Sequence, residues 1–135
     1  MRKKTVFYKI LVKREKLAGL GSAGMFARIS NWKYPKIGEW TPKIYKKDLV
    51  MCRTGYHLTT AKDVAYWINK GYYLFIAEGR GRAKGRKTDN KILFSQVRLI
   101  KCLGRVTSYK QADKIDNVKT DAGLRRCFPK RKRSK

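Results

Sequence analysis

The chain has 135 residues, and its 35 Lys and Arg against nine Asp and Glu give a net charge of +26. That length fits one domain. A hydrophobic fraction of 42%, with eight Tyr, five Phe and three Trp, excludes a disordered protamine-like chain, and no run reaches the roughly 18 apolar residues of a membrane span. The excess charge opposes a compact state by self-repulsion, and a polyanion relieves it by displacing condensed counterions. Charge alone does not choose between DNA, RNA and an anionic surface.

Residues 5–12 alternate, with Val6, Tyr8, Ile10 and Val12 on one side and Phe7, Lys9 and Leu11 on the other, the pattern of a first strand. The basic start is followed by Lys9 and Lys13-Arg14 with no small-residue cleavage site, so no secretory signal is expected. Leu17 to Gly24 reads as a loop, without the spacing of a phosphate loop. Residues 31–49 set Trp32, Tyr34, Pro35, Trp40 and Pro42 among lysines, which predicts an irregular, anchored segment. Its rings fit two uses. They plug the edge of the core, or Trp32, Tyr34 and Trp40 form a strip on which bases stack.

Leu49 to Cys52 reads as a short strand, and Tyr56 to Leu58 as another after a turn at Gly55. Thr60 and Asp63 have capping-box spacing before Val64, Trp67 and Ile68, so a helix is predicted over 60–70, closed by Gly71. Tyr72 to Ala77 is the most apolar run and predicts a central buried strand. Gly79 to Lys87 alternates glycines with cations and reads as a loop ending at Asp89-Asn90. Apolar patterning resumes at Ile92, Phe94, Val97 and Leu99, with a bulge expected near Ser95-Gln96. A short helix is expected over 110–117. The expected fold is α+β: one small domain over 1–124 with a mostly antiparallel, twisted sheet and one or two short helices, followed by a basic tail over 125–135.

A glycine-spaced basic loop follows a phosphate backbone closely, because alternate positions carry no side chain. Arg80, Arg82, Lys84, Arg86 and Lys87 are therefore the first candidates for nucleic-acid contacts, and Arg125, Arg126, Lys130, Arg131, Lys132 and Arg133 the second. No zinc-finger spacing, RRM signature or GXXG clamp is present, so binding with little sequence preference is expected. Glu78 is expected to pair with Arg80 or Arg82. Cys52, Cys102 and Cys127 are odd in number and lack metal-hook spacing. They read as reduced thiols of a cytoplasmic protein, two of them buried. With one histidine, His57, and scattered acids, no metal and no cofactor are expected.

Several pieces in order, Gly38-Glu39-Trp40-Thr41-Pro42, Cys52-Arg53-Thr54-Gly55-Tyr56-His57-Leu58, Tyr73 to Gly81, Asp89-Asn90-Lys91-Ile92 and Val97-Arg98-Leu99, resemble an uncharacterised domain family of phage and bacterial proteins. That resemblance implies a phage or prophage origin, with the host-cell cytoplasm as the setting if phage-encoded, and a compact α+β fold, and it carries no function. A second resemblance, to ADP-ribosyltransferase folds, implies a nicotinamide pocket lined by Tyr56 and His57, with Gln96 nearest the place of the catalytic glutamate and Lys9 in the place of the first-strand Arg or His. An acid is absent from that position, and such a site needs one to stabilise charge. The expected function is nucleic-acid binding through phosphates. The alternatives are a phage-encoded inhibitor docking on an acidic host protein and a divergent ADP-ribosyltransferase-like enzyme.

Overall fold

The computed structural model describes residues 5–13, 20–22, 34–45, 47, 49, 56–82 and 91–128. The fold is α+β. Strands β1 (Phe7–Lys13), β2 (Leu20–Ser22), β3 (Tyr56–Leu58), β4 (Tyr73–Arg82) and β5 (Ile92–Arg105) form an antiparallel sheet in the order β2-β1-β4-β5-β3. Helices α1 (Val64–Trp67), α2 (Tyr109–Asp116) and α3 (Asp121–Arg126) cover one face.

The alternation in β1 decides which face is which. Tyr8 and Ile10 enter a core with Leu74, Val64, Val106, Ile115, Leu124 and Phe128, the helix side. Phe7 and Leu11 enter a second core with Phe75, Ala77, Phe94, Val97 and Leu99. Both faces of the central strands are thus buried, as a continuous apolar run requires. The sheet also rolls. Thr59, just past β3, exchanges backbone hydrogen bonds with Tyr8 of β1, at 2.7 and 3.0 Å, although β3 and β1 are not neighbours in the strand order. The second core is the inside of this roll, and Tyr34 closes it at 8% exposure.

Four elements differ from the sequence reading. The predicted helix over 60–70 is a 3-10 turn at Ala61–Asp63 followed by the single turn of α1. Thr60 makes no side-chain cap; its carbonyl accepts from the Asp63 amide instead. Gly71 does not close the helix: α1 ends at Trp67 with Ile68 extended, and Gly71, at φ 91°, sits in the turn before β4. The presumed loop from Gly79 is strand as far as Arg82. The β4–β5 register holds from Arg82↔Phe94 to Ala77↔Leu99, so no bulge falls at Ser95-Gln96; the shifts lie further on, where β5 inserts Ile100 and Leu103. Finally, α3 had no counterpart in the sequence reading. Thr120 caps it by accepting from the Gly123 amide, and Phe128 is buried beyond it, so the boundary drawn at 124 falls inside a helix. The expected strand at 49–52 lies largely outside the described residues.

Candidate nucleic-acid interface

The alternation of glycine and arginine in Gly79-Arg80-Gly81-Arg82 is a strand period of two, with glycine as the inward residue. A Cβ at Gly79 would fall 2.5 Å from the Phe94 ring, and one at Gly81 2.5 Å from Ser95 Cβ, so both positions are closed to any side chain. Phe94 and Ser95 are buried. Arg80 and Arg82 then point outward and are exposed.

Cross-strand pairing assembles the surface around them. Glu78 pairs with Arg98 and Arg80 with Gln96, and Trp40 lies on the far side of Arg98 in an isolated bridge. The segment carrying Trp40 is irregular because it follows β5 with alternate bonds only: the amides of Gly38, Thr41 and Ile44 donate to the carbonyls of Leu99, Val97 and Ser95. The Trp40 ring holds two guanidinium groups, with Arg80 Cζ at 3.9 Å and Arg98 Cζ at 4.9 Å from its centroid. Arg80 Nε also donates to Gln96 Oε1 at 2.9 Å. Arg98 donates twice to Glu78 Oε1, at 3.0 and 2.8 Å. Glu78 therefore pairs with Arg98 rather than with Arg80 or Arg82, because the antiparallel register sets Arg98 directly opposite. The result is a shelf of ordered cations at the exposed end of β4 and β5.

The candidate stackers separate. Tyr34 belongs to the core, edge-on to Tyr56 at 6.4 Å, and presents no face to a base. Trp40 is half-buried, and its ring serves the arginines. Trp32 lies outside the described residues, as do Lys84, Arg86, Lys87, Lys130, Arg131, Lys132 and Arg133. Arg125 and Arg126 are exposed on the last turn of α3, where cations also suit the helix dipole. Arg98 is the shelf residue that the sequence reading passed over. Its signal was the polar outward position in Val97-Arg98-Leu99 opposite Glu78.

The residues of the enzyme reading have structural work. Tyr56 Oη donates to the Pro42 carbonyl at 2.8 Å and Gln96 Nε2 to the Thr41 carbonyl at 2.8 Å, so both pin the Trp40 segment to the sheet. The buried Lys9 donates from Nζ to the His57 carbonyl at 3.0 Å and lies 5.4 Å from the Tyr34 ring centroid. Burial, with Lys91 nearby, lowers its pKa to about 7. Burial and the Lys9 and Lys91 charges lower that of His57 to about 4, which keeps its imidazole neutral. Cys102 and Cys127 are half-buried free thiols, and burial raises both. Among the described residues no cluster of His, Cys, Asp or Glu is placed to hold a metal, and no helix is long and apolar enough to cross a membrane. No protein-family model, curated protein or solved structure matches the chain.

Proposed function

We propose that this protein binds nucleic acid through phosphate contacts, with little dependence on base sequence, in the cytoplasm of a bacterial host. The observation that carries the reading is the shelf of Arg80 and Arg98 held over Trp40, with Arg82 beside it on the same strand. Stacking fixes the guanidinium planes, so less side-chain freedom is lost on contact, and Arg80, which gives only Nε to Gln96, offers its remaining N–H groups to an oxyanion. The net charge of +26 adds long-range attraction for any polyanion. Beyond Arg82 the sequence continues into Lys84, Arg86 and Lys87, which extend the same charge.

The test is affinity for mixed-sequence DNA and RNA as a function of salt. With roughly seven phosphates neutralised, log affinity falls linearly with log salt at a slope of about −6 for duplex DNA. Arg80→Ala and Arg82→Ala each reduce that slope by about 0.9. Binding that ignores salt, or no binding at low salt, defeats the proposal. A partner that persists in a pull-down after nuclease treatment supports docking on an acidic protein instead.

A further inference from the structure

A second aromatic and basic surface lies on the helices, away from the shelf. Tyr66 of α1 and Tyr109 of α2 are each 68% exposed, the most exposed large apolar side chains among the described residues. Helix α1, which carries Tyr66, packs against α2, and Lys70, just past α1, sets Nζ 4.9 Å from the centroid of the Tyr109 ring at the start of α2. Tyr66 meets Trp67 edge-on at 4.9 Å, and Lys91 Nζ lies 5.1 Å from the Trp67 ring centroid. Rings and ammonium groups are thus mixed on this side: Lys91 lies at Trp67, Tyr66 beside Trp67, and Lys70 at Tyr109.

An exposed ring is not needed for phosphate contact, and the fold gains little from it. A duplex offers no base faces to such rings except at its ends, whereas an unpaired strand offers one at every nucleotide. Lysines beside the rings match the phosphates that accompany each base. We infer that this face binds single-stranded nucleic acid, with unpaired bases stacked on Tyr66 and Tyr109 and phosphates met by Lys70 and Lys91. The inference rests on the polyanion reading and narrows it to strands with unpaired bases.

The experiment compares a labelled single strand with the duplex of the same sequence at one salt concentration, for the full chain and for Tyr66→Ala, Tyr109→Ala, and the matching Phe variants. Both positions are exposed, so the fold tolerates either change. The expected result is tighter binding of the single strand and a loss of about tenfold for each Ala variant on single strand alone. Phe restores the affinity, and duplex binding is unmoved. Equal affinity for both forms with no effect of the Ala variants overturns the stacking inference and leaves the phosphate reading standing. No binding of either form removes both.

Discussion

Two surfaces of this domain bring aromatic rings and cations together, in opposite senses. At the end of β4 and β5, Trp40 lies under two guanidinium groups, and the ring is spent on ordering charge. On the α1–α2 side, Tyr66 and Tyr109 keep two thirds of their surface open, and Lys70 sets its ammonium group over the Tyr109 ring. The first arrangement produces fixed cations from flexible side chains. The second leaves planar apolar faces beside mobile charge. The same two residue types therefore give ordered cations in one place and exposed rings in the other, and the backbone beneath decides which. A strand pair fixes the spacing of opposed side chains, whereas a single helical turn leaves its outer residues unopposed.

The interior supplies a control for this contrast and the largest expected effect. Lys9 also faces a ring, Tyr34, but with water removed from both. Its folded pKa of about 7 lies below the ordinary 10.5, so between those values the unfolded chain binds the extra proton. Stability then rises with pH across that window, and falls as pH drops back towards 7, by about 1 kcal/mol per pH unit. His57, lowered from 6.5 to about 4, adds a rise between those two values. Cys102 and Cys127 oppose the trend only as pH approaches the ordinary thiol value of 9. Urea denaturation from about pH 5 to pH 8.5 reads both segments. Lys9→Met removes the upper one and stabilises the protein at pH 7; an unchanged slope in that variant refutes the assignment to Lys9.

Trp40→Leu comes next and addresses the shelf alone. It removes two cation–π contacts, each of about 0.5–1 kcal/mol at such a site, without removing a charge. Affinity for nucleic acid falls about fivefold, while the salt slope stays as it was. A changed slope would mean that Trp40 alters how many phosphates are met, not how the arginines are held. The smallest effect is that of Glu78→Gln. The pair with Arg98 is about one-third exposed on each side, so its loss costs under about 1 kcal/mol of stability. Release of Arg98 raises affinity about twofold to threefold. Anisotropy titration shows the sign, and a fall would mean that Arg98 needs Glu78 to hold its place.

Strands with apolar alternation were legible from residue types alone: β1, the first half of β4 and most of β5. The second half of β4 was not, because its inward residues are glycines and the alternation of size hid behind one of charge. Gly79 and Gly81 read as loop freedom, yet Phe94 or Ser95 occupies the space a side chain would need at each, and Gly81 alone, at φ 71°, also uses that freedom. Helix α3 was hidden by Gly123 within a polar stretch; only Thr120, three residues before it, marked the start. Of the candidate site, Arg80 and Arg82 stand out in the sequence as cations of a basic loop, and the structure sets them, exposed, on a strand instead. Arg98, Tyr66 and Tyr109 were missed, since neither pairing partner nor exposure is written in local sequence.

The strand at Gly79–Arg82 has one more consequence. The ladder to β5 pairs Arg80 with Gln96 and Arg82 with Phe94, so the separation of the two cations is set before any ligand arrives. Such a ruler favours a backbone near its own period and penalises one that is compressed or stretched. On the proposed reading, discrimination between forms of nucleic acid would begin here, through geometric fit rather than through the identity of any base.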